Sequence, residues 1–153
     1  VNKDSISENK ELKTIEDFEH NFIFLVDGKL ISNNFSYEDK SNIFINDYNY
    51  KNRGKFDAKS SLTLLNNALA TGGFTLEVSK NYEFTKPLVI YNYFSKNLKE
   101  SIINNKNSII MNEDSQLTLI NYIDDNSKDN FMVNVMDSVK IKKSCLNRMF
   151  VLI

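Results

Sequence analysis

The chain has 153 residues, 41% hydrophobic and 25% charged, the balance of one globular domain rather than of a disordered segment. Nineteen Lys and Arg oppose twenty Asp and Glu, and a net charge of −1 excludes the positive excess that binding nucleic-acid phosphates demands. One Cys excludes an internal disulfide and a multi-thiolate zinc site, and no apolar run approaches a membrane span.

The first residues, Val1-Asn2-Lys3-Asp4-Ser5, are polar, lack the apolar core of a signal peptide and lack a Met, so the natural chain is expected to begin upstream. Residues 1–20 form a polar lead-in. Within it, Leu12, Ile15 and Phe18 are spaced for a short amphipathic helix from Glu11 to Glu19. Residues 21–57 read as a hairpin and a connecting strand. Phe22–Val26 is β-branched and aromatic, and Asp27-Gly28 supplies the two positive-φ positions of a tight β-turn before Lys29-Leu30-Ile31. Ser41–Asn46 reads as a further strand.

Residues 58–153 read as one helix followed by a truncated β core. Asp57 is placed to cap a helix over 58–70, with Leu62, Leu65 and Leu69 on its apolar face and Gly72-Gly73 at its end. From there the chain offers short β-type runs: Phe74–Val78, Leu88–Phe94, Ile102–Asn104, Ser108–Met111, Gln116–Ile123, Phe131–Met136, Val139–Ile141 and Met149–Ile153. Alternation aims Leu117, Leu119 and Tyr122 inward, and Lys140 and Lys142 flank a buried Ile141. With four Gly and one Pro, Asn must serve at many turns, since it tolerates positive φ. Short strands with polar corners suit a solenoid, whose rungs each bury a thin apolar layer against the next. The chain stops within the apolar run Met149–Ile153, an open template for a partner or for more chain.

Catalytic patterns are sparse. His20 reads as an exposed residue at the start of a strand, and Cys145 as an inert, partly buried thiol despite neighbouring Lys142 and Lys143. Gly72-Gly73 lacks the Lys-Ser/Thr of a phosphate loop. Asp124, Asp125 and Asp129 form an acidic loop without the glycine and terminal Glu of an EF-hand. Glu77, Glu83 and Glu113 make no repeated carboxylate stripe of the kind a solenoid lyase or hydrolase needs. No catalytic, cofactor-binding or metal-ligating residue is assigned.

The order of signals resembles a family. Phe22-Ile23-Phe24-Leu25-Val26-Asp27-Gly28-Lys29 is similar to the early "LVFVDG" hairpin of the SufD subunit of the SUF iron–sulfur assembly machinery, and Ser61–Ala70 to its "FxxLNxALA" helix. Phe74–Val78 followed by Lys86-Pro87-Leu88, and Asn107–Ile120, are similar to two of its strand segments, in the family's order, so that the resemblance covers roughly 20–123. Departures are Asp114 where the family has Gly, Asn121 where it has an acidic residue, and Lys80-Asn81 where a turn glycine stands.

The resemblance implies a right-handed parallel β-helix, preceded here by the hairpin and one short helix. It implies a non-catalytic scaffold that pairs with a SufB-type subunit through the β-helix and its open C-terminal strands and works with a SufC-type ATPase. The iron–sulfur cluster, and a flavin if one is used, then belong to the assembled complex and not to this segment. The compartment implied is the cytoplasm, or the plastid stroma in a eukaryote, without membrane or nucleic-acid partners. The family's cluster-assembly histidine and its SufC-binding helices match no position here. A β-solenoid carbohydrate-active enzyme and a surface binding module are the alternatives.

Overall fold

The structure, a computed structural model, describes residues 14–48, 60–96, 98, 102–125, 131–143 and 146–152. The strands are β1 (Asn21–Val26), β2 (Lys29–Asn34), β3 (Ile43–Asp47), β4 (Gly72–Val78), β5 (Leu88–Phe94), β6 (Ile102–Met111), β7 (Gln116–Asp125), β8 (Met132–Ile141) and β9 (Leu146–Leu152), with helix α1 (Ser61–Leu69) between β3 and β4. They form a nine-stranded mixed sheet in the order β8-β6-β4-β2-β1-β5-β7-β9, with β3 paired to β4. The protein is thus mainly β. Among the described residues, no helix is long and apolar enough to cross a membrane.

The hairpin stands at the middle of the sheet. Asp27 and Gly28 adopt φ of 48° and 80°, as the Asp-Gly pair predicts. The Asp27 carboxylate then accepts from the backbone N (2.8 Å) and hydroxyl (2.7 Å) of Ser95, fixing the turn to the end of β5. From the antiparallel β1–β2 pair two wings extend, each parallel within itself: β2, β4, β6 and β8 on one side, β1, β5, β7 and β9 on the other.

From β4 and from β5 onward, successive strands of a wing align at a nearly constant chain offset. Phe74 pairs with Asn107, 33 positions on, and Asn107 with Asp137, 30 on. In the other wing Leu88 pairs with Leu119, 31 on, and Gln116 with Leu146, 30 on. The sheet curls, because one cluster takes residues from both wings: Ile23, Leu25, Leu88, Ile90, Leu117 and Leu119 meet Phe74, Leu76, Val78, Ile109 and Met111. Each such fully buried side chain contributes about 1.5–3 kcal/mol.

The inward direction of Leu117 and Leu119 is as the alternation predicts. Tyr122 differs. It lies in register with Tyr91 and Phe24 on the outer face, where rings meet from strand to strand: Phe24–Tyr91 stacked at 4.7 Å and Tyr91–Tyr122 tilted at 5.4 Å between centroids. Ile141, expected to be buried, is 52% exposed, because β8 is the last strand of its wing. The runs expected as two strands at 102–111, and again at 131–141, are each one continuous strand. The strand expected from Ser41 begins at Ile43, after a 3₁₀ turn over Lys40–Asn42 capped by Asp39.

The helix differs in three respects. Ser60, not Asp57, caps it, its hydroxyl accepting from Thr63 N at 3.2 Å; Asp57 lies outside the described residues. Gly72 and Gly73 do not end it but open β4, where chain segments cross too closely for side chains. A Cβ on Gly72 would fall 2.2 Å from the Gly28 carbonyl oxygen. The apolar face is also reversed. Leu62, Leu65 and Leu69 are exposed, while Asn66 and Asn67 are buried. The physical reason is the polar surface beneath: Asn66 Nδ2 donates to the carbonyls of Asn105 (2.8 Å) and Asn134 (2.6 Å), bridging β6 and β8, and Lys106 Nζ donates to Asn67 Oδ1 (3.0 Å).

Residues 14–20 contain no helix, so the amphipathic helix expected over 11–19 is absent where it is described. Ile15 instead packs on the outer aromatic face of β1 and β5.

Candidate functional site

Both wings climb from the hairpin, so β8 and β9 are the two end strands of the sheet among the described residues and form its rim. Over its ten residues β8 carries Asp137, on the inner face, and Lys140, both charges of the kind that blunt an edge strand.

The inner face changes character toward this rim. In one column Phe74 is followed by Asn107 and then by Asp137, and Asn107 Nδ2 donates to Asp137 Oδ1 at 2.9 Å. Asn107 is buried and Asp137 exposed. Across the curl, Asn92 Nδ2 donates to Asn121 Oδ1 at 2.6 Å, joining β5 to β7. A cavity of about 10 Å³ lies between the wings, lined by Asn107, Asn121, Asp137 and Ser138 together with Ile90, Ile109, Leu119 and Val139. It is little larger than one water. Side-chain bonds of this kind, in register at Asn107–Asp137 and diagonal at Asn92–Asn121, join strand to strand in addition to the backbone. A second stack lies under α1, where Asn134 Nδ2 donates to Asn104 Oδ1 at 3.2 Å.

Two buried amide oxygens of these columns meet glycine instead of a donor. The Oδ1 atoms of Asn105 and Asn107 have no hydrogen-bond partner, and they lie 1.8 and 2.9 Å from where a Cβ on Gly28 and on Gly73 would stand. Cα–H groups of the two glycines are therefore the contacts of these oxygens.

Below the rim, Glu38 holds the chain into β5. Its carboxylate accepts from Asn21 Nδ2 (2.7 Å), the Tyr82 hydroxyl (2.8 Å), and the backbone N of Thr85 and Lys86 (3.0 Å each). Burial and then this carboxylate push the Tyr82 hydroxyl pKa upward. All its partners are structural, so Glu38 is an anchor and not a poised base.

The residues weighed from sequence fall apart in space. His20 is not exposed: it is buried, with Nε2 2.8 Å from the Tyr91 hydroxyl. Asp124 and Asp125 belong to β7 rather than to a loop, and Asp129 and Cys145 lie outside the described residues. Glu77 accepts from Asn112 (2.9 Å), and Glu113 pairs with Lys80 (2.6 Å), which holds the Glu113 carboxyl below its usual range. Glu83 is exposed and forms a β-bridge to Gln116. Among the described residues, no group of three His, Cys, Asp or Glu is placed to hold a metal ion. The amide columns were missed from sequence, although the recurrence of Asn or Asp at positions 104, 107, 134 and 137 carries their 30-residue spacing.

What the rim can do chemically is pair. Two strand edges offer backbone donors and acceptors, with an apolar and amide-lined interior between them. No protein-family model matches the chain, and no curated protein is similar to it at a significant level.

Proposed function

We propose that the chain is the starting portion of a right-handed parallel β-helix and serves as a non-catalytic scaffold that binds a partner through its last strands. The reading is carried by one observation: from β4 to β6 to β8, and from β5 to β7 to β9, the strands are parallel and recur at offsets of 30 to 33 positions. A right-handed course follows the preference of parallel crossover connections. The hairpin and β3 then act as the cap that a stacked array requires at one end.

The scaffold is proposed to be a SufD-like subunit of a SufB–SufC–SufD iron–sulfur assembly complex. Supporting this are the resemblances at 22–29, 61–70, 74–88 and 107–120, which fall on β1–β2, α1, β4–β5 and β6–β7. Asn81 and Asp114, two of the departures, adopt positive φ (59° and 57°), the conformation that glycine would take there. The cluster, and a flavin if one is used, is held by the assembled complex, in the cytoplasm or the plastid stroma.

Co-expression of the encoded protein with SufB-type and SufC-type subunits tests the assignment. Co-elution with the SufB-type subunit through affinity and size-exclusion steps is expected, since the SufC-binding helices match no position in this chain. Failure of the SufB-type subunit to be retained, with the protein itself folded, removes the assignment and leaves a scaffold of another system.

A further inference from the structure

The geometry points to a hinged cover: residues 15–20 open and close over a row of aromatic rings on the outer face, independently of the sheet beneath. The cover lies away from the core that the two wings share, so it goes beyond the scaffold reading and does not depend on it.

The row runs across β1, β5 and β7. Phe22 meets Phe24 at 4.8 Å between centroids, Phe24 meets Tyr91 at 4.7 Å, and Tyr91 meets Tyr93 and Tyr122 at 6.2 and 5.4 Å. Its middle is hidden, Phe24 being 3% exposed and Tyr91 0%, whereas Phe22, Tyr93 and Tyr122 are half-buried. Ile15 packs on this row, and His20 stands against Tyr91.

The hinge is Asn21. It is fully buried, its backbone N donates to the Pro87 carbonyl at 2.8 Å and its Nδ2 to Glu38 at 2.7 Å, and from it β1 pairs with β5 residue by residue as far as Val26–Tyr93. On the other side of Asn21 the attachment changes in kind. Residues 14–20 pair in no strand, and Glu16, Asp17 and Phe18 are exposed. The latch is the Tyr91 hydroxyl, bonded to Ile15 N and to His20 Nε2, with the half-buried Ile15 side chain beside it. The Glu19–Lys86 pair adds little, because both side chains are partly in water. Along one flank the segment borders an open groove of about 460 Å³ shared with Asn34, Ser36 and Tyr37, which leaves it room to lift. A segment held by so few buried contacts opens far more readily than the ladder under it. Opening turns a covered row of rings into a displayed one.

His20 is the only histidine in the chain, so its modification by diethyl pyrocarbonate reads the cover directly. In the closed form it is buried, with Nε2 occupied by Tyr91. The whole wild-type protein is expected to react about a hundredfold or more slowly than N-acetylhistidine, at a rate that urea leaves unchanged below the unfolding transition. Tyr91→Phe is expected to react about tenfold faster than wild type with an unaltered circular dichroism spectrum. Ile15→Ala, which lies outside the sheet, is expected to shift the rate in the same direction and serves if Tyr91→Phe does not fold. Reaction at the free-histidine rate overturns the closed cover. Reaction only in step with global unfolding overturns the independent opening, and an unchanged rate in the folded variants overturns the latch.

Discussion

The hydroxyl of Tyr91 bonds at once to His20 Nε2 and to the backbone N of Ile15, each at 2.8 Å. His20 Nδ1 lies 2.9 Å from the Phe18 carbonyl oxygen, which can only accept. In the neutral imidazole Nδ1 then carries the proton, Tyr91 donates to Nε2, and the Ile15 amide donates to Tyr91. This chain of bonds fastens residues 15–20 across the outer face of β1 and β5. Tyr91→Phe leaves the Ile15 donor and the His20 acceptor unpaired, and is expected to cost about 1–3 kcal/mol. Urea denaturation checks the loss, and faster hydrogen exchange at the Ile15 amide checks its location.

Stability is expected to fall in strongly alkaline solution. Burial pushes the Tyr93 hydroxyl pKa up to about 12, with the Asp124 carboxylate adding to the effect. Burial raises that of Tyr91 too. The unfolded phenol loses its proton near its ordinary value of about 10. Between the two values the unfolded chain releases protons that the folded chain retains, so this contribution is whole below pH 10 and lost as pH rises toward 12. Melting temperatures across that range, compared with Tyr93→Phe, are expected to show a shallower decline in the variant.

Glu38→Ala removes the acceptor of four hydrogen bonds and leaves the amides of Thr85 and Lys86 without it. A loss of about 2–4 kcal/mol is expected. Glu38→Gln is expected to recover part of this, since its amide oxygen still accepts. The ordering wild type, Gln, Ala in denaturant midpoint is the measurement.

Leu119→Asp places an unpaired charge in the core shared by both wings, where Leu119 is 1% exposed. A loss of roughly 4 kcal/mol or more and a chain that fails to fold at 37 °C are expected. Circular dichroism checks the outcome, and a wild-type melting curve would mean that the faces of β7 are wrongly assigned.

Gly28→Ala meets two obstacles: a φ of 80°, and Asn105 Oδ1 only 1.8 Å from the new Cβ. The substitution is expected to cost about 2–3 kcal/mol. Pairing it with Asn105→Ala relieves the clash but not the backbone strain. The double variant is therefore expected to be more stable than the sum of the single effects, a coupling read from a double-mutant cycle.

Features set by neighbouring residues were legible in the sequence. The hairpin followed from Asp27-Gly28, and the inward row of β7 from the alternation of Leu117 and Leu119. The turn at Asn81 followed from the tolerance of Asn for positive φ. What escaped depends on partners tens of residues away. Leucine spacing in α1 predicts an apolar inner face, but the helix lies over carbonyls and amides of β6 and β8, so Asn66 and Asn67 turn inward. His20 looked solvent-exposed because its partner, Tyr91, stands 71 positions later. Asn107 and Asp137 form a ladder only because the register places one over the other.

The central position of the hairpin also bears on how the chain folds. Its two strands meet across a two-residue turn, whereas later strands find their neighbours across tens of residues, a far larger loss of chain entropy. A nascent chain thus completes its own template early, and each newly synthesised segment meets a ready-made edge on which to settle. Assembly by accretion in this way confines the slow searches to one added layer at a time, and errors in the earliest layer propagate to all those laid upon it.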